Sequence, residues 1–115
     1  MTENNSGQLT KVHEHSIQNR IRAAISPYAV VFRANVGKVR TPDGRFFDTG
    51  LPAGFSDLFG FRKSDGKMFF IEVKTPSGRI SDAQRNFINQ MQNFGAIAGV
   101  CRSEENALVL LELIN

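Results

Sequence analysis

The chain has 115 residues, enough for one domain with a modest core and too few for two. Hydrophobic residues make up 41%, with ten Phe and no Trp, and the lone cysteine, Cys101, excludes an internal disulfide framework and suits a reducing compartment. A formal charge of +3 is only mildly basic, but with Arg33, Lys38, Arg40 and Arg45 in one stretch it fits a polyanionic partner. No apolar run approaches membrane-spanning length, and polar Met1 to Gln8 does not read as a signal peptide, so a cytoplasmic protein with no membrane contact is expected.

Residues 1–12 read as a flexible polar tail, and 13–115 as a single domain. From His13 to Ser26, Ile17, Ile21 and Ile25 recur at four-residue spacing beside Ala24, which predicts one apolar stripe of a helix, ended by Pro27. Ala29 to Val36 predicts a strand. After a loop containing Gly and Pro, a short strand is expected around Arg45 to Thr49, then a turn-rich connection from Gly50 to Gly54. Ser56 to Arg62 and Lys67 to Lys74 form a hairpin, whose second strand, apolar on both faces through Met68-Phe69-Phe70-Ile71, belongs at the centre of a covered sheet. Ser81 starts a helix with Phe87, Ile88, Met91 and Phe94 at helical spacing, and Gly95 stops it. Ala96 to Cys101 is a strand that buries its thiol, and Ser103 caps a last helix through Leu113. The fold class is α/β in the order α-β-β-β-α-β-α, a mixed sheet flanked by helices. The last helix, with Ala107, Leu108, Leu110, Leu111 and Leu113, carries enough apolar surface for the core or for an interface.

The hairpin carries the chemistry. Glu72 and Lys74 are two apart, so on a strand they share a face. With Asp65-Gly66 as a two-residue loop, Asp57 falls opposite Lys74 and shares that face with Glu72. Two carboxylates and an ammonium on one sheet face can hold a hard divalent cation such as Mg²⁺ beside a built-in cation, which is the chemistry of phosphodiester hydrolysis. The bland alternative is a cross-strand ion pair of little worth. A carboxylate at the end of so apolar a strand, however, needs a partner. Gln84 completes Ser81-x-x-Gln84, a capping box that competes with any role in the site. Glu14 in a first helical turn is favoured by the helix dipole alone. His13 and His15, two apart, do not share a helix face and read as solvated or phosphate-proximal rather than as metal ligands. Arg33, Lys38, Arg40 and Arg45, opposed by Asp43 alone, suggest a phosphate-contacting loop, with Arg79 just past the hairpin nearest the scissile phosphate. No recognition helix or zinc finger reads sequence in a groove.

Gly54-Phe55-Ser56-Asp57, Glu72-Val73-Lys74 and Gln84 resemble the active-site motifs of the PD-(D/E)xK nuclease superfamily, and specifically its virus-type replication-repair branch, VRR-NUC. The resemblance runs from about Glu14 to Val100 and takes in Phe32-Arg33-Ala34-Asn35-Val36-Gly37, Gly78-Arg79-Ile80-Ser81 and Gly95-Ala96-Ile97-Ala98-Gly99-Val100. Ser56 stands where the superfamily usually has proline. The resemblance implies a restriction-endonuclease-like core and a metal-dependent endonuclease acting on structured or branched DNA such as a four-way junction or flap. It implies Mg²⁺ or Mn²⁺ held by Asp57, Glu72, the Val73 carbonyl and Glu14, with Lys74 and Gln84 assisting. It also implies a homodimer from a bacterial or phage-infected cell. The rival is a DNA-binding module that keeps the fold without the catalysis.

Overall fold

A computed structural model describes the backbone of residues 3–114 and the side chains of residues 13–114. The elements, in chain order, are α1 (Glu3–Ile25), β1 (Ala29–Arg33), β2 (Lys38–Arg40), β3 (Phe46–Asp48), β4 (Leu58–Arg62), β5 (Met68–Val73), α2 (Asp82–Asn93), β6 (Ile97–Cys101) and α3 (Glu104–Leu110). A four-stranded mixed sheet has the order β1-β4-β5-β6, antiparallel except for the parallel pair β5–β6. The parallel pair is joined by α2, as a crossover requires. A separate two-stranded sheet, β2–β3, is inserted between β1 and β4.

The sheet is covered on both faces, as the apolar run in β5 requires. Phe69, Ile71 and Val73 alternate onto one face, where they join Ile17, Ile21 and Ile25 of α1, Leu58 of β4, Cys101 of β6, and Ala107 and Leu111 of α3. Phe70 points to the other face and packs with Ile88 and Ala98, bordered by Phe55, Phe59, Phe87 and Met91. Phe55, Phe70 and Phe87 meet at tilted or edge-on angles with ring centroids 4.8–5.8 Å apart. Such aromatic pairs contribute about 0.5–1.5 kcal/mol each beyond area burial. The last helix spends its apolar residues on the core: Ala107 and Leu111 are buried, and Leu108, Leu110 and Leu113 pack around them.

Three expectations change. First, α1 starts at Glu3 rather than His13, in a stretch whose polar composition offers no apolar period; Met1 and Thr2 lie outside the described residues. Second, Lys38–Arg40, expected as loop, is a strand, too short to show an alternation, and five strands precede α2 where the expected order has three. Third, the β4–β5 loop has four residues, not two. Arg62 pairs with Lys67, its N–H donating to the Lys67 carbonyl at 3.0 Å, and Gly66 closes the loop onto the Arg62 carbonyl at 2.8 Å with φ of 73°. Asp65 decides this geometry. Its carboxylate accepts from the Lys67 N–H at 3.1 Å and from Arg62 Nε at 3.0 Å. Arg62 in turn donates to the Leu111 carbonyl at 3.2 Å, tying the turn to the end of α3. No described helix is long and apolar enough to cross a membrane.

Candidate active site

The longer loop moves the register by two, and an even shift keeps every side chain on its own face. Leu58 pairs with Ile71, so the register continues with Asp57 opposite Glu72, not opposite Lys74 as expected. Asp57 and Glu72 therefore stand side by side on the face that carries Phe59, Phe70 and α2. Asp57 lies just before β4, fixed at both ends. Its carbonyl accepts from the Ala34 N–H at 2.8 Å and its Oδ2 from the Val73 N–H at 2.7 Å.

Glu72 is 2% exposed. Burial, then the neighbouring Asp57 charge and a hydrogen bond with Asp57, push its carboxyl from the ordinary 4.5 up to about 9; Lys74 opposes this and Glu14 adds to it. Lys74 Nζ lies 4.0 Å from Glu72 Oε2, at the outer limit of an ion pair. Glu72 Oε1 is buried with no hydrogen-bond partner.

Gln84 resolves the competition between cap and site by doing both. Its Oε1 accepts from the Ser81 N–H at 2.9 Å, and its N–H donates to Ser81 Oγ at 3.1 Å, which completes the capping box. Its Nε2 donates to Glu72 Oε2 at 3.0 Å. One rotamer thus couples the first turn of α2 to the buried carboxylate. Gly54 sets that turn at its distance: with φ of 92°, a Cβ built there would lie 2.5 Å from the Ala83 carbonyl oxygen. This is the physical content of the glycine three residues before Asp57.

Glu14 is one turn before Ile17 on the inward stripe of α1, across the sheet from α2, and acts on Glu72 through its charge. It lies mid-helix, so the dipole account of its position falls away. The expected closure of three carboxylates is not drawn together: among the described residues, no group of three or more His, Cys, Asp or Glu forms a metal-binding cluster. The donors that do converge fit a hard cation, since both carboxylates are oxygen ligands and Glu72 Oε1 is a buried acceptor lacking a donor. His13 and His15 are exposed, as read. Ser56, in the usual proline's place, is fully buried.

Of the basic residues, Arg33 ends β1 beside Leu58, Lys38 and Arg40 lie on β2, and Arg45 sits in the β2–β3 loop with its guanidinium 2.8 Å from Asp43. Arg79 is exposed in the segment between β5 and α2. Sequence reasoning missed Arg102. Its guanidinium donates to the carbonyls of Thr75 at 2.5 Å and Gly78 at 2.7 Å, pinning the loop that leaves Lys74 and leads to Ser81. An arginine after an apolar strand gives no signal of this, because its partners are backbone atoms of a distant loop.

Comparisons with known proteins place the fold and the family. The family model described as the VRR-NUC domain matches residues 43–105. A solved structure described as a VRR-NUC domain superposes with a TM-score of 0.62 at 19% identity, covering 90% of this chain and 98% of that chain. No curated protein matches the sequence significantly.

Proposed function

This chain belongs to the VRR-NUC family, and we propose that it is a metal-dependent endonuclease that hydrolyses phosphodiester bonds in branched DNA. The observation that carries the reading is the buried Glu72 carboxylate, paired with Asp57 across the strands and flanked by Lys74 and Gln84 on one sheet face. Asp57, Glu72 and the Val73 carbonyl would hold Mg²⁺ or Mn²⁺, with Glu14 joining from α1 directly or through water. When bound, such an ion supplies Lewis-acid polarisation of the phosphate and an acidified water. The chain's own groups do the rest. The Val73 N–H fixes Asp57, and Gln84 engages Glu72 Oε2, which leaves Oε1 as the acceptor that would be free to bind the ion. Lys74 stabilises negative charge on the phosphate or helps deprotonate the attacking water. Arg33, Lys38, Arg40 and Arg79 hold the strand through its phosphates, while Arg45 lies beside them with its charge engaged by Asp43. We further propose that the protein works as a homodimer in the cytoplasm of a bacterial or phage-infected cell.

The test is a panel of end-labelled linear, flapped and four-way DNA substrates incubated with Mg²⁺ and with Mn²⁺. Cutting is expected with metal, absent in EDTA, and lost in Glu72→Ala and Lys74→Ala. Binding without cutting of any substrate would replace hydrolysis with a DNA-binding role. Sedimentation gives the oligomeric state.

A further inference from the structure

The β2–β3 hairpin packs broadly against no other described element. An isolated two-stranded hairpin is marginal in water. This one is nonetheless hydrogen-bonded at its tip, where the Thr41 N–H donates to the Arg45 carbonyl at 2.7 Å and the Gly44 N–H to the Thr41 carbonyl at 2.9 Å. Its base is equally fixed. Thr49 donates to the Gly37 carbonyl at 2.8 Å, and the chain on either side returns to the site, with Ala34 bonded to the Asp57 carbonyl. The arm therefore rises from the carboxylate end of the main sheet.

Both of its faces are exposed, and each bears an aromatic ring. Cross-strand pairing puts Arg40 with Phe46 and Lys38 with Asp48 on one face, and Val39 with Phe47 on the other. Phe46 is 65% exposed and Phe47 52%. The Arg40 guanidinium lies 5.6 Å from the Phe46 ring centroid. Apolar surface of this kind marks a partner site. A second copy of the chain would bring Lys38 and Arg40 towards their own like charges. A nucleic acid answers the rings and the cations together, with base faces for the first and phosphates for the second.

We propose that the β2–β3 arm is a branch-point wedge, with Phe46 and Phe47 stacking on the exposed terminal base pairs of two DNA arms that diverge at the cleavage site. This rests on the nuclease reading and deepens it, since it names the feature of branched DNA that the protein recognises. A continuous duplex offers no exposed base-pair face, whereas a branch point offers one per arm. A flat ribbon with a ring on each side fits between two such faces, and Lys38 and Arg40 flank it against the phosphates. Apolar side chains inserted at disrupted base steps are an established mode of DNA recognition.

Affinities for a labelled four-way junction and for a linear duplex of equal length, measured in Ca²⁺ in place of Mg²⁺, test the proposal. The wild-type protein is expected to prefer the junction by about tenfold or more, as loss of one or two stacked bases would change affinity by at least that order. In Phe46→Ser/Phe47→Ser the ratio is expected to fall to about two or less. In Phe46→Tyr/Phe47→Tyr, which keeps both ring faces, it is expected to persist, with far-UV circular dichroism confirming that all three proteins fold. A wild type without junction preference, a serine variant that keeps it, or a tyrosine variant that loses it overturns the wedge. A serine variant that dissociates a dimer into monomers also overturns it, in favour of self-association. Cleavage with Mg²⁺ by the same preparations is scored separately. A protein that cuts, but whose preference ignores Phe46 and Phe47, refutes the wedge alone. One that follows them without ever cutting refutes hydrolysis alone.

Discussion

Glu72 ties the stability of the metal-free protein to pH. Its folded carboxyl titrates near 9 against an ordinary 4.5, so between those values the folded chain holds a proton that the unfolded chain has released. Stability therefore falls as pH rises, with the contribution complete below about 4.5 and lost through about 9. In EDTA, thermal melts are expected to show a falling melting temperature from about pH 6 to about pH 9, and Glu72→Gln is expected to flatten that dependence. An unchanged slope in the glutamine variant would mean that Glu72 is already ionised at neutral pH. Gln84 allows a second dissection. Ser81→Ala removes the hydroxyl acceptor and is expected to cost about 1 kcal/mol in urea unfolding, as N-cap deletions do. It leaves the 3.0 Å Gln84–Glu72 bond in place, so metal-dependent cutting should fall less than about threefold. Gln84→Glu keeps a carboxylate acceptor for the Ser81 amide but sets a like charge against Glu72 in place of a donor, so cutting should fall by about tenfold or more although the cap is kept. Equal losses in both variants would make Gln84 a cap alone.

At the scale of elements, the site depends on how α2 and the loop from Thr75 to Gly78 are seated. Gly54→Ala forces a Cβ to within 2.5 Å of the Ala83 carbonyl at a backbone φ of 92°. The first turn of α2 must then move, and Gln84 moves with it. The expected result is a loss of about 1–3 kcal/mol in unfolding free energy together with loss of cutting, read by urea titration and by the labelled-DNA panel. Much of this was legible beforehand. The stripe of Ile17, Ile21 and Ile25 and the apolar run in β5 each admit one placement, because burial decides them. The shared face of Asp57, Glu72 and Lys74 survived an error in the loop because strand parity has a period of two. The loop itself was not legible. Asp65-Gly66 looks like a tight turn until Arg62 is known to be anchored on the end of α3, a contact between residues far apart in the chain. The double role of Gln84 is not legible either, because sequence gives spacing and not rotamers. The reach of Arg102 to the Thr75 and Gly78 carbonyls, and the exposure of Phe46 and Phe47, are likewise tertiary facts with no local pattern.

At the scale of the whole molecule, the formal charge of +3 is less informative than where individual cations lie relative to the carboxylate end of the sheet. Arg33 ends β1 there, and Lys38 and Arg40 lie on the arm that rises from it. These residues are not equivalent. Arg45 is 2.8 Å from Asp43, so its charge is matched locally. Lys38 and Arg40 form no ion pair among the described residues. Each phosphate contact steepens the fall of log affinity with log salt by about 0.9 on duplex DNA. Lys38→Ala and Arg40→Ala should each reduce that slope by about 0.9, and the double variant by about twice that, measured by binding at several NaCl concentrations. Arg45→Ala should change it by less than about half of one such contact, because the Arg45 charge is already engaged by Asp43 and makes no phosphate contact of its own. Equal effects for Arg45 and Arg40 would mean that DNA breaks the Arg45–Asp43 pair on binding. Unchanged slopes for Lys38 and Arg40 would place the phosphate path elsewhere on the domain, nearer to Arg79 and the α2 side of the sheet.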